Sequence, residues 1–400
     1  MRTNIIFRAP VYSQSGYGSH SKDIVLSLWQ TQKFNLSVVP TEWGGSSLSD
    51  TGLKSNEKDA LFFMTNNKIH KDVPFIFAHV GIPTEFQKIG KINVGITAGL
   101  EANKINQDWV NGCNLMDLII VPTTFVKETF QSSGVTTRVE VVGEGVDTTI
   151  FNNTPLDIDI LKDISTPVNI LSTGQWLPGR IGEDRKGIGI LIDTFMKAFE
   201  NDKKVGLILK TYINNNSSVD HTHLIERMKD IKGGKEFPRI HVVHGNLTNE
   251  EMASLYKSPK VCGFVSMTSG EGWGRGIAEA AACDLPIVVT GWSGHMDYIN
   301  SLYSKTIDFN LKQVPRNLLY TKYFTSDMVW AYPNIEDAKR KVRNLVENPI
   351  SHKSKAKEFG SIFRKNYNKD VVYERIVELF DELSLKMSLG NSSSIILEKI

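Results

Sequence analysis

Glu271 and Glu279 stand eight residues apart in TSGEGWGRGIAEAAACDLPIVVTG, residues 268–291, a stretch whose first nine residues hold four glycines. Carboxylates accept several hydroxyl donors each, the pairing that a sugar and a ribose both require. The glycines let backbone N–H groups approach a ligand closely, and the alanine-rich IAEAAAC that follows begins a helix. A helix start carries about half a positive charge and free amides, which suits a phosphate group. The motif therefore fits a nucleotide whose diphosphate lies on the helix start and whose other end is a sugar. Read as structure alone, Glu279 is a helix-dipole partner and Glu271 a loop charge.

Positioning such a motif takes a strand to bring the chain in and a helix to carry it out. CGFVSM and LPIVVTG supply strands on either side of the glycines. The rest of the chain repeats this alternation. NIIFRAP, FNLSVVP, VPFIFAHV, INVGIT, DLIIVPT and VEVVGEGV read as strands, GYGSHSKDIVLSLWQT and the capped TTFVKETFQSSG as helices. After an irregular stretch at 147–167 the pattern resumes with VNILSTG, KGIGILIDTFMKAFEN, VGLILKTY, THLIERMKDIKGG, RIHVVHG and TNEEMASLYKSP. Strands alternating with helices imply parallel sheets with right-handed crossovers. The expectation is an α/β chain with two Rossmann-like parallel-sheet domains facing across a cleft. The boundaries are 1–165 for an acceptor-side domain, 166–368 for a donor domain, and 369–400 for a final helix and tail that can pack back across the domains. The 147–167 linker is expected to act as a hinge that closes the cleft on its ligand.

Composition narrows the function classes. The chain of 400 residues is 40% hydrophobic and 22% charged with a net charge of +2, as expected of a soluble globular protein. No apolar run reaches the roughly 18 to 20 residues of a membrane span, so a cytoplasmic location is expected. Cys113, Cys262 and Cys283 are far apart and read as ordinary buried thiols. Residues 339–369 hold ten Lys or Arg against Glu347 and Glu358. They read either as solvated helix faces or as a surface for a polyanion. No G-x-G-x-x-G with a following acidic residue opens a βαβ unit, which argues against a dinucleotide oxidoreductase.

SGEGWGRGIAEAAACDLPIVVTGWSGHMDYI resembles the signature of family four of the retaining glycosyltransferases, which have the GT-B fold. In the same order, VVGEGVDTTIFN is similar to that family's Gly-Val-Asp turn, LSTGQW with RKGIGILIDTFMKAF to its first donor-domain strand and Lys-Gly helix, and LILKTY to the next strand. SGYGSHSKDIVLSL resembles the N-terminal glycine loop and first helix, and GLEANKINQDWVNGCNLMDLIIVPTTFVKETFQSSGV the segment leading into the linker.

The resemblance, over roughly residues 10–385, implies sugar transfer from a nucleotide-diphosphate sugar, a UDP-sugar, as co-substrate; since DIDI at 157–160 lies in the irregular stretch and no other acidic metal triplet stands out, no metal or other cofactor is expected. It implies Glu271 on hydroxyls of the donor sugar, Glu279 on the ribose, and the amides of Gly272, Trp273, Gly274 and Arg275 on the diphosphate or sugar. Lys186 would bind phosphate. The family's arginine after the first strand's glycine is replaced by Gln175, and either Arg180 or Arg185 supplies the charge. Lys210, at a strand's carboxyl end, and the loop of Gly16 and Gly18 complete the donor set. His79 joins Glu271 as a catalytic candidate, and Thr97 and Glu101 face the acceptor. Retention implies front-face attack, the donor phosphate taking the acceptor's proton.

Three functions follow. One is transfer to a saccharide or other hydroxyl. The second is the same transfer with DNA as acceptor, as in phage enzymes that glycosylate hydroxylated cytosines, and it rests on the basic 339–369 stretch. The third is a non-catalytic nucleotide-sugar binding module.

Overall fold

The computed structural model describes residues 2–389 apart from 47, 49–52, 71 and 215. The first half runs β1 (Thr3–Ala9), α1 (Gly16–Gln30), β2 (Phe34–Pro40), α2 (Ser55–Asn66), β3 (Ile76–Val80), β4 (Ile92–Ile96), α3 (Gln107–Asn114), β5 (Leu118–Val121), α4 (Thr124–Ser132) and β6 (Val139–Val141). All six strands are parallel, in the order β2-β1-β3-β4-β5-β6. Every residue of β3, β4 and β5 is buried, as expected of central strands covered by helices on both faces. Side chains start the helices here: the Ser15 hydroxyl accepts from Gly18 N at α1 and the Thr123 hydroxyl from Val126 N at α4.

The second half runs β7 (Val168–Gln175), α5 (Ile188–Ala198), β8 (Val205–Tyr212), α6 (Ser218–Lys232), β9 (Arg239–Val243), α7 (Asn249–Lys257), β10 (Val261–Ser266), α8 (Arg275–Ala282), β11 (Ile287–Thr290), β12 (Lys305–Ile307), the antiparallel pair β13 (Phe309–Gln313) and β14 (Val329–Pro333), α9 (Ile335–Glu347), α10 (Pro349–Tyr367) and α11 (Lys369–Leu389). Its parallel sheet has the order β12-β11-β10-β7-β8-β9. The chain therefore reverses direction across the sheet between β7 and β10. A crevice opens at that point, beyond the carboxyl ends of the strands, where ligands of open α/β sheets bind.

Three features tie the halves together. The chain crosses between them twice at one place: Val146 N donates to Tyr367 O (2.9 Å), Lys369 N to Val146 O (3.0 Å), and the Lys369 ammonium meets Asp147 (2.7 Å). The last helix, α11, then lies on α1, burying Tyr373, Ile376, Leu379, Phe380 and Leu383 in the core around β1 and β3. The tail 390–400 of the third segment lies outside the described residues. The β13–β14 hairpin reaches back as well, putting Val314, Met328 and Trp330 into one core with Phe86, Leu100, Trp109 and Phe130 of the first half. Asn103 locks it, exchanging hydrogen bonds with Val329 through both backbone and side chain. The 147–167 segment, expected as a hinge, packs onto the second half. Phe151 and Leu161 of that segment are buried in the core of the second half.

Candidate active site

The crevice between the two sheets encloses a cavity of about 620 Å³. Its second-half wall comes from the carboxyl ends of β7 and β8, from β10 and from the glycine-rich loop entering α8: Thr173, Gly174, Gln175, Tyr212, Ser266 and Glu271 to Ile277. Its first-half wall comes from the loops after β1, β2 and β4 and includes Gly16, Tyr17, Trp43, Leu100 and Glu101. Trp109 of α3 and Tyr323 and Phe324 of the hairpin complete the rim.

The loop is held by backbone approach. Gly272 lies so close to the opposite half that a Cβ there would meet the Ala98 carbonyl oxygen at 2.0 Å, and its own carbonyl accepts from the Thr123 hydroxyl (3.0 Å). Gly274 begins α8 at φ +89°, a conformation that favours glycine, and no side chain caps the helix start. α8 therefore presents its positive end at the cavity wall.

Glu271 is fixed at both ends. Its backbone N–H donates to Ser293 Oγ (2.8 Å), Thr268 Oγ1 donates to its Oε1 (3.1 Å), and Lys186 Nζ to its Oε2 (2.5 Å). Burial would raise its carboxyl pKa, but Lys186 and Arg185 hold it below the ordinary value, so it is an anion at neutral pH. Arg185 pairs across the cleft with Glu101 at 2.7 Å. Arg275 is half-buried and shared among three carboxylates, Glu144 (3.2 Å), Asp23 (3.6 Å) and Glu279 (4.0 Å). Burial raises the pKa of each of the three against the pull of Arg275.

The structure brings Gly16, Gln175, Arg185, Lys186, Glu101, Glu271, Gly272, Trp273, Gly274 and Arg275 to one cavity. Between the two arginines left open by the sequence, Arg185 lines it, whereas Arg180 is exposed on the loop outside. Gln175 spends its amide on the Ile213 carbonyl (2.7 Å), joining the ends of β7 and β8.

Other expected site residues stand off the cavity. Gly18 packs α1 against the preceding turn, where a Cβ would meet the Ser13 carbonyl oxygen at 1.9 Å. Thr97 sits behind Tyr17, hydroxyl to hydroxyl at 3.1 Å. Glu279, one turn into α8, does not line the cavity, and its Oε2 accepts from Tyr256 OH (3.0 Å). Lys210 is half-buried beside the Tyr212 ring, and burial lowers its pKa to about 8. His79, expected in the catalytic set, is a core residue on β3 packed against Phe77 and Phe86, with burial lowering its pKa to about 4. Its Nε2 lies 3.8 Å from the Glu85 carboxylate, too far for a hydrogen bond to that group.

Asp23, Tyr17, Trp43 and Glu144 escaped the sequence reading. Glu144 carried a signal, an acid between two glycines in VVGEGVD, but Asp23 looks like any charge on an amphipathic helix. The basic stretch lies elsewhere. Lys339, Arg340, Lys341, Arg364 and Lys369 pair with nearby carboxylates, and none of its ten cations lines the cavity. Among the described residues no group of three or more His, Cys, Asp or Glu could hold a metal ion, and no helix is long and apolar enough to cross a membrane.

No family model and no curated sequence matches the chain. Solved structures do. HepE of Anabaena, in complex with UDP and glucose, has a TM-score of 0.62 at 12% identity, over 95% of this chain and 100% of its own. Sucrose-phosphate synthase of Thermosynechococcus elongatus has a TM-score of 0.65 at 12% identity, over 96% and 100%. The fold is GT-B. A glycosyltransferase of Rickettsia africae matches it likewise, with a TM-score of 0.63 at 15% identity over 96% of this chain and 99% of its own. In this GT-B frame the β13–β14 hairpin belongs to the second half by sequence and to the core of the first by packing.

Proposed function

We propose that the chain is a retaining glycosyltransferase that moves a sugar from a nucleotide-diphosphate sugar, a UDP-sugar, to a hydroxyl of a saccharide or other small acceptor. One observation carries this reading. Glu271, Lys186, Arg185 and the uncapped start of α8 converge on one cavity where the second sheet reverses direction. Two cations and a helix start match a diphosphate, and a fixed carboxylate beside them matches sugar hydroxyls. HepE, solved with UDP and with UDP-glucose, lends the donor class.

In this reading Arg185, Lys186 and the amides of residues 272–275 take up the charge that develops on the departing diphosphate. Such fixed donors contribute a few kcal/mol to a transition state. Glu271 orients the sugar, and Glu279, set back from the cavity wall, acts on the ribose through Arg275, which does line it. Transfer with retention follows from the family resemblance, with the leaving phosphate oxygen receiving the acceptor's proton. The basic 339–369 stretch that suggested a DNA acceptor lies away from the cavity, which favours a small acceptor.

The test is donor-dependent nucleotide release across a panel of nucleotide sugars. It is repeated with simple glycosides, unmodified DNA and hydroxymethylated DNA as acceptors. Release with glycosides alone is expected. Release only with hydroxymethylated DNA would transfer the assignment to that acceptor, and nucleotide binding without release under any condition would leave a binding module.

A further inference from the structure

The family resemblance assigns Glu101 to the acceptor, but its contacts are with the donor side. Its Oε1 meets Arg185 Nη1 at 2.7 Å, and both side chains are more than four-fifths buried. Its backbone packs so tightly on the donor loop that a Cβ at Gly270 would meet Glu101 Cβ and O at 3.0 Å. Two residues on, Asn103 is bound to the hairpin strand β14. Glu101 is thus held in register with the glycine loop.

Arg185 has little else to orient it. Its Nη1 also donates to Gly270 O (3.1 Å) and lies 3.9 Å from Glu271, while Nε and Nη2 have no partner among the described residues. A guanidinium binds phosphate best through two parallel N–H bonds, and an edge is open here for that purpose. The two cations are shared out between two carboxylates, Arg185 with Glu101 and Lys186 with Glu271. Without Glu101, Arg185 and Lys186 would both turn to Glu271.

We infer that Glu101 is a positioning residue of the donor site: a carboxylate of the first half that holds the Arg185 fork toward the diphosphate and keeps it off Glu271. This rests on the donor-site reading above. It makes the first half a contributor to diphosphate binding through a side chain that never touches the donor.

The test is calorimetric titration of the full-length protein with UDP, using Glu101→Gln, Arg185→Ala, the double variant and Lys186→Ala, with acceptor KM measured in parallel. Glu101→Gln should weaken UDP about three- to ten-fold, the scale of coupling between two residues in contact, and leave the acceptor KM unchanged. In the Arg185→Ala background the same change should have no further effect, because the two residues act as one unit. Glu101→Asp should recover part of the loss. Tighter UDP binding by Glu101→Gln would mean that the carboxylate competes with phosphate for Arg185, and would overturn the inference. So would an additive double variant, or a raised acceptor KM with unchanged UDP affinity. If Lys186→Ala weakens UDP and Glu101→Gln does not, the inference fails and the donor site stands. If the parental protein does not bind UDP, both fall.

Discussion

The two walls of the cavity are built on different physics. The second-half wall works with charge and backbone: Glu271, Lys186, Arg185 and a glycine loop whose Gly272 lies against the Ala98 carbonyl oxygen. The first-half wall and rim work with rings and apolar faces: Trp43 stacked on Tyr17 at 3.7 Å between centroids, Trp109 edge-on to Tyr323, with Ile82, Leu100 and Phe324 beside them. A diphosphate needs fixed donors at fixed positions, so the first kind of wall tolerates few residue types. Stacking surfaces are served by any aromatic ring at the right height, so the second kind is free to vary with the acceptor.

The largest effect should come from the charged wall. On the proposed donor reading Glu271→Gln removes the charge that faces the sugar, and kcat should fall roughly 10²- to 10³-fold, the cost of losing one preorganised electrostatic group. UDP affinity and melting temperature should stay near parental. Glu279→Gln should do the reverse, raising donor KM several-fold at nearly constant kcat, because Glu279 sits beneath the cavity against Tyr256. Parental kinetics in both variants would end the assignment of this wall to the donor.

Acid should loosen the junction beneath both walls. His20 of α1 lines the cavity, bonds Tyr373 of α11 at 3.0 Å, and has its pKa lowered to about 4, mainly by burial and further by Arg275. An imidazole whose folded pKa lies below its unfolded value leaves the unfolded chain binding more protons between the two. Stability is therefore complete above about pH 6.5 and falls as pH drops toward 4. Between pH 7.5 and pH 5 the loss from this group should be roughly 2 kcal/mol. Urea unfolding at the two pH values measures it, and His20→Gln should remove that share of the slope. An unchanged slope in the variant would mean that the junction does not hold a neutral histidine.

The aromatic wall predicts a smaller and separate effect. Trp43→Ala should raise acceptor KM about three- to ten-fold, the scale of one ring contact, and leave UDP affinity unchanged. A matching loss of UDP affinity would erase the division between the walls.

That division also explains what could be read from the sequence. The strands and helices of both sheets follow from periodicity, since parallel central strands are continuous apolar runs between capped helices. The donor motif is contiguous, so its acid, glycines and helix start appear as one signature. The ring wall draws on residues 17, 43, 82, 109 and 323, which no local pattern groups. The hairpin was illegible for a related reason. Trp330 and Met328 are short apolar interruptions in a polar stretch, and their burial depends on a partner more than two hundred residues earlier in the chain. His79 failed differently: a histidine at the carboxyl end of a strand resembles a site residue until the phenylalanines beside it are seen.

The smallest effect concerns motion. Water must be kept from an activated sugar, and a hinge that closes on the donor is one way to exclude it. The charged wall touches the first half directly. The Thr123 hydroxyl reaches Gly272 O, Thr124 N reaches Asp297 (2.6 Å), Arg185 meets Glu101, and Arg275 meets Glu144. The hairpin anchors the rim, and the doubled crossing at Val146 and Lys369 ties the far end. Opening would break all of these and expose Trp330, so a widely open state is costly. Small-angle scattering should give a radius of gyration near that of a compact 400-residue chain, about 21 Å, with and without saturating nucleotide sugar. Hydrogen exchange in the Gly16 loop should slow on donor binding, because that loop lines the cavity. A clear contraction on adding donor would show that the halves part in solution, and would make the hairpin a latch that the donor closes.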